Sequence, residues 1–162
     1  MSSVAAYPSS LTPADVQNLS PYTLHFAIGN NRIRHALQTA WQQRGVIAAT
    51  AIHSRATHYP TATIGAGSLL TAGCILGPDA SIGDGCILNH NSVVEHDVII
   101  GDFCHIAQNA VISGGVRLGT QCLIGAGAVI LPYLTIGNHV TIAAGTIVTH
   151  NLPDNGTFPT PM

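Results

Sequence analysis

The stretch that decides the fold reads Ile82-Gly83-Asp84-Gly85-Cys86-Ile87-Leu88-Asn89-His90-Asn91-Ser92-Val93-Val94-Glu95-His96-Asp97-Val98-Ile99-Ile100-Gly101-Asp102-Phe103-Cys104-His105-Ile106. An aliphatic residue stands at 82, 88, 94, 100 and 106, every sixth position. Extended outward, the series begins at Ile64 and runs unbroken to Val148, fifteen aliphatic residues in all. Four residues after each anchor comes a second, mostly small series, beginning Ser68, Cys74, Ala80, Cys86, Ser92, Val98 and Cys104. One large and one small inward residue per hexad fill the corner of a narrow prism, which is the pattern of a parallel β-helix.

A longer period lies on top of the short one. Gly65, Gly83, Gly101, Gly119 and Gly137 recur every 18 residues, directly after an anchor and on one corner only. Three hexads therefore make one coil, and about five coils are expected between 64 and 150, stacked at about 4.8 Å. Glycine at that corner is expected to meet backbone angles that other residues resist. No hexad is interrupted, so chemistry is confined to corners or to grooves between subunits, and the end coils need caps.

Composition narrows the function. Charged residues are 7% of the chain and hydrophobic ones 46%. So few charges predict that much of the surface is buried against copies of the same chain. Five Lys+Arg and a net charge of −2 argue against a nucleic-acid partner, which needs clustered basic groups. No apolar run reaches the ~18 residues of a membrane span, and the start of the chain lacks the features of a signal peptide. A cytoplasmic location is expected. Cys74, Cys86, Cys104 and Cys122 are spaced by 12, 18 and 18 residues, so they share the repeat's phase and read as small core residues.

Ahead of the repeat, Leu24 to Ile28 reads as a buried strand and Asn30 or Asn31 as a helix cap. Arg32 to Arg44 reads as a helix with Ile33, Leu37, Ala40 and Trp41 on one face and Gly45 as its stop. Val46 to Ile52 reads as a second strand. Residues 1–22, with three Pro and five Ser, read as a loop or tail. The expected organisation is a truncated α/β segment over 1–60, a β-helix over 61–150 and a C-terminal tail over 151–162.

Polar groups interrupt the pattern most densely from Asn89 to His105. His96 lies between Glu95 and Asp97, and a carboxylate beside an imidazole suits general-base work because it orients the ring and stabilises its charged form. A solvated corner is the alternative. One coil on from His96, the same corner position is Gly114, where a missing side chain leaves room for a ligand and bares a backbone N–H for an oxyanion; corner geometry alone is the other reading. Zinc held by three histidines, as in hexapeptide-repeat carbonic anhydrases, does not fit the spacing of His90, His96 and His105, so no metal is expected.

Asn89, Val93-Val94-Glu95-His96-Asp97, Ile100-Gly101-Asp102-Phe103 and His105-Ile106 together resemble the signature of bacterial sugar acyltransferases of the UDP-4-amino-sugar (bacillosamine) N-acetyltransferase and sialic acid O-acetyltransferase group. Phe26 to Arg34 and Ile52-His53-Ser54 resemble that group's N-terminal domain. The resemblance implies a left-handed β-helix, a homotrimer and acetyl-CoA lying between neighbouring β-helices. It implies His96 as general base, Asp97 as the acid that polarises it and Glu95 as a neighbouring acid. It places Asn89 near the substrate, His105 near the thioester, Gly114 as a backbone donor, Ala126 and Ala144 along the coenzyme, and Gly29 at the nucleotide-sugar. The substrate implied is a UDP-linked amino-dideoxy sugar acetylated on its 4-amino group. O-acetylation of sialic acid and a non-catalytic binding role are the alternatives. The chain departs from the group in lacking a G-x-G-G-H type loop and in ending Asn155-Gly156-Thr157-Phe158-Pro159, so it reads as a truncated form or a domain fragment.

Overall fold

The structure, a computed structural model, describes residues 23–159; the loop or tail expected over 1–22 lies outside them. Two-residue strands recur every hexad and stack into three parallel sheets. Face I holds seven strands: Ala51–Ile52, Leu69–Leu70, Ile87–Leu88, His105–Ile106, Leu123–Ile124, Thr141–Ile142 and Thr157–Phe158. Face II holds six, from Thr57–His58 to Ile147–Val148, and face III holds five, from Thr63–Ile64 to Thr135–Ile136. Partners in the ladders are 18 residues apart, as in Val94 with Leu76 and Ile112. The result is a parallel β-solenoid of about six turns.

The core is the expected one. Leu70, Leu76, Leu88, Val94, Ile106, Ile112, Ile124, Ile130 and Val148 are wholly buried down the centre, and the small series packs between them. All four cysteines are free and buried in it. The prism is longer than the aliphatic series because its ends break the pattern. Ala51–Ile52 and Thr57–His58 are already in register with the coils above, but His58 occupies an anchor position and disguises the phase. At the other end the last coil is two residues short, pairing Thr141 with Thr157, and Phe158 closes the core where a tail was expected.

The corners have a conformational rule that the glycine period only half reveals. The third residue after each anchor is left-handed at every corner, from Gly67 through Asp79, Asn91, Asp97 and Asn109 to Gly145. Glycine, Asn and Asp tolerate this region, and they fill most of these positions. The 18-residue glycines do not adopt it; they are small because coils approach closely there. A Cβ on Gly119 would lie 2.7 Å from the backbone of Gly137 and Asn138. The residues after Gly83, Gly101 and Gly137 cap the coil below: Asp84 Oδ1 accepts the Ala66 N–H at 2.7 Å, Asp102 Oδ1 the Asp84 N–H at 2.9 Å and Asn138 Oδ1 the Thr120 N–H at 2.9 Å.

The N-terminal segment differs most from expectation. Strand β1, Thr23–Leu24, pairs with β2, Ile47–Ala48, and the chain from His25 to Ile28 belongs to no strand, turning where the Ile28 N–H donates to the Phe26 carbonyl at 2.8 Å. Val46 to Ile52 is thus split between two sheets. Helix α1 spans Asn31–Gln42, capped by Asn30, whose Oδ1 accepts the Ile33 N–H at 3.1 Å. Gly45, at φ +82°, ends the helix as expected. Its buried face is not the apolar one: Ile33 and Leu37 are 51% and 38% exposed, whereas Arg34 and Gln38 are wholly buried. The reason is the surface beneath. Helix α1 lies along the corner between faces III and I, where the coils present carbonyl groups that need donors.

Ile112→Ala is expected to destabilise the fold by about 2–5 kcal/mol through an uncollapsed cavity, and Gly119→Ala by about 1–3 kcal/mol through overpacking against the next coil. Urea unfolding followed by circular dichroism checks both.

Candidate active site

His96 and its acids follow the strand Val93–Val94 and form the corner between faces II and III. The left-handed turn at Asp97, φ 59°, turns its carboxylate back to the ring, and Asp97 Oδ2 accepts from His96 Nδ1 at 2.8 Å. A carboxylate only accepts, so Nδ1 carries the proton and Nε2 keeps its lone pair. The hydrogen bond to Asp97, helped by the charges of Asp97 and Glu95, raises the His96 pKa above the usual imidazole value. Both side chains are open to solvent, at 51% and 66% exposure.

Gly114 lies directly against this ring. A Cβ there would be 2.6 Å from His96 Nε2. The space freed by the missing side chain therefore holds the imidazole itself, and Gly114 is buried beneath it. Its neighbour Gly115 donates its N–H to the His96 carbonyl at 3.0 Å, which fixes the two coils against each other.

The other expected residues gather elsewhere. Asn89 and His105 both project from face I, with Asn89 Nδ2 3.2 Å from His105 Nε2. Gly29, before α1, crosses this face, and its carbonyl accepts from His105 Nδ1 at 3.2 Å. Burial, with the nearby Arg34 charge, lowers the His105 pKa against the opposing effect of the Gly29 hydrogen bond. Ala126 and Ala144 are exposed at the corner between faces I and II, the corner that Asn89 begins. Within one triangular prism, face I lies opposite the corner that carries His96. One chain thus brings together two separate sets, His96 with Glu95, Asp97 and Gly114, and Asn89 with His105 and Gly29.

Face II, which separates these two sets, is apolar on its outside as well. Its outward residues include Ile75, Val93, Val111, Val129 and Ile147, stacked coil upon coil. Ile147 is 60% exposed. A continuous apolar surface of this kind marks a contact with another molecule.

The bacterial transferase hexapeptide (six repeats) family matches residues 79–114 and 115–150, and the hexapeptide repeat of succinyl-transferase matches 97–132. The acetyltransferase domain of PglB from Neisseria gonorrhoeae FA1090, solved with acetyl coenzyme A, is 34% identical, with a TM-score of 0.88 over 96% of this chain and 77% of that one. PerB from Caulobacter crescentus, solved with CoA and GDP-perosamine, is 33% identical, with a TM-score of 0.86 over 90% of this chain and 72% of that one. This chain belongs to the hexapeptide-repeat sugar N-acetyltransferases. WeeI from Acinetobacter baumannii AYE is similar at 29% identity, with a TM-score of 0.80 over 83% of this chain and 66% of that one. No curated protein sequence matches the acetyltransferase. Among the described residues no group of three or more His, Cys, Asp or Glu is placed to hold a metal, and no helix is long and apolar enough to cross a membrane.

Two features of the candidate site were not legible in the sequence. Arg34 reaches the Gly29 carbonyl, and His90 closes the hydrogen bonding of Asn89. Arg34 lies outside the apolar Ile33, Leu37, Ala40 and Trp41 set of the helix, and only the packing of α1 shows it buried.

Asp97→Asn is expected to move the His96 pKa down toward the ordinary imidazole range, because the amide no longer stabilises the charged ring. An NMR titration of the imidazole resonances checks this; an unchanged value would contradict the pairing.

Proposed function

We propose that this chain transfers the acetyl group of acetyl-CoA to the 4-amino group of a UDP-linked amino-dideoxy sugar, directly and in a ternary complex. The observation that carries the proposal is the His96–Asp97 pair, whose free Nε2 faces the backbone of Gly114. The amine nitrogen attacks the thioester carbonyl carbon as Nε2 takes its proton. Asp97, with Glu95 nearby, stabilises the imidazolium that forms. The tetrahedral oxyanion is held by backbone N–H groups, Gly114 among them. The C–S bond then breaks, CoA thiolate leaves, and the proton on His96 passes to it. No cysteine stands at this corner to carry the acyl group, which favours direct transfer over a covalent intermediate. Relatives solved with acetyl coenzyme A, and with CoA and GDP-perosamine, support the two substrate classes.

The active unit is a homotrimer. Face II is apolar outside and in, and three prisms turned so that these faces meet at a common axis bury it. Each chain's corner between faces II and III then approaches its neighbour's corner between faces I and II. His96 of one subunit thereby comes near Asn89, His105, Ala126 and Ala144 of the next, with acetyl-CoA along the groove between them. Gly29 and the start of α1 border the same groove and meet the nucleotide-sugar. This arrangement uses every expected site residue, whereas a monomer separates them across the prism.

Acetyl transfer measured by mass spectrometry, with UDP- and GDP-linked 4-amino sugars compared, tests the assignment. His96→Ala is expected to lower kcat by about 10²–10⁴; full turnover would refute it. Asp97→Asn is expected to shift the acidic limb of kcat/KM to lower pH, because the base then stays neutral further into acid. Mixing inactive His96→Ala and His105→Ala chains and reassembling them is expected to restore about one site in four, as random trimers require when each site draws on two subunits.

A further inference from the structure

Four groups on face I form one hydrogen-bonded line whose direction can be worked out from its ends. The His90 backbone N–H can only donate, and it meets Asn89 Oδ1 at 2.8 Å. His90 Nδ1 meets the same oxygen at 2.9 Å. The Asn89 amide is therefore oriented with its nitrogen toward His105, and that nitrogen can only donate. His105 Nε2, 3.2 Å away, must accept, so the His105 proton sits on Nδ1. At the far end the Gly29 carbonyl can only accept, and it lies 3.2 Å from that same Nδ1. Both ends demand the same tautomer.

Arg34 holds the loop that carries the Gly29 carbonyl, chiefly through the adjacent Ile28 carbonyl. Its Nη1 donates to Ile28 O at 2.6 Å and Gly29 O at 3.4 Å. Its Nε donates to Gly85 O at 2.7 Å, and its Nη2 to Asn31 Oδ1 at 2.9 Å, Phe103 O at 3.0 Å and Cys104 O at 3.3 Å. The side chain is wholly buried with no carboxylate among these partners. A buried charge is costly unless fully hydrogen-bonded, and here carbonyl oxygens supply the compensation. The guanidinium thus ties the loop before α1 to the two coils below and above it.

We propose that Arg34 is a positioning residue which, through the Gly29 carbonyl, holds His105 as the Nδ1–H tautomer, so that His105 meets the substrates as a hydrogen-bond acceptor and Asn89 meets them as the donor. This rests on the acetyltransferase reading for what the substrates are. An N–H of the sugar amine or of the pantetheine arm displaces Asn89 from His105 Nε2. The freed Asn89 amide then turns its N–H to an acceptor, of which the thioester oxygen is one. His105 does not itself donate to that oxygen while Gly29 holds its only proton.

The test needs no turnover. Nitrogen-15 imidazole spectra of the assembled protein, with His105 assigned by its loss in His105→Gln, report which ring nitrogen carries the proton. Wild type is expected to show Nδ1–H at His105; Nε2–H would overturn the proposal. In Arg34→Lys the single ammonium cannot hold both the Gly29 side and the coil carbonyls, and His105 is expected to shift toward Nε2–H. A folded Arg34→Lys protein with the wild-type tautomer would overturn the role of Arg34, since a merely structural arginine would change only the melting temperature. Should that variant not fold, titration of wild type decides. The groups facing His105 are Arg34, the Gly29 carbonyl and Asn89 with His90 behind it. With that set His105 is expected to stay unprotonated below the ordinary imidazole range, and titration at or above that range would overturn the proposal. Failure of acetyl transfer with an Nδ1–H His105 would instead fault the assigned function.

Discussion

Every coil is stacked on the next by a column of aliphatic side chains that has no alternative place to go. The anchors from Leu70 to Val148 are buried to the last few per cent. A shift of one residue would turn each of them outward, so the burial of apolar area fixes the register. The backbone follows, with each N–H finding the carbonyl of the neighbouring coil, as Val93 finds Ala110 and Leu123 finds Val140. Once the register is fixed, adding 18 to a residue number moves up one coil without changing corner. That translation puts Gly114 against His96, and it sets the left-handed turn that brings Asp97 to the same ring.

Helix α1 meets this regular object through a match of lengths. A helical turn rises about 5.4 Å and a coil about 4.8 Å, so successive turns face successive coils. Gln38 donates to Ala66, Arg34 to Gly85, Phe103 and Cys104, and Asn31 to Gln121 and Cys122. The corner itself is shaped to receive them: a Cβ at Gly67 would run into Gln38, and one at Gly85 into the Phe103 ring that packs beside it. The polar face of α1 turns inward because it alone can satisfy those carbonyls. Ile33 and Leu37 are left outside as a consequence.

The scarcity of charge gives the remaining charged groups clear roles. Asp84, Asp102 and Asp154 cap backbone N–H groups at the corner between faces III and I. Glu95 and Asp97 flank His96. Arg34 is buried under α1. Face II carries no charge in its stack of Ile75, Val93, Val111, Val129 and Ile147. In the proposed trimer that face supplies association, and the corners on either side of it supply the chemistry.

The six-residue and 18-residue periods by themselves determined the prism, its core, the burial of the cysteines and the corner on which His96 sits, because a repeat with one inward face per hexad has one way to bury it. They did not give the ends, where His58 and the shortened last coil break the phase, nor the reason for the glycine column, which is close approach and not a left-handed turn. The tertiary structure alone decided which face of α1 is buried, that Arg34 reaches Gly29, and that Asn89 and His105 stand across the prism from His96. These depend on what lies opposite a side chain, and a periodic pattern records only which way it points.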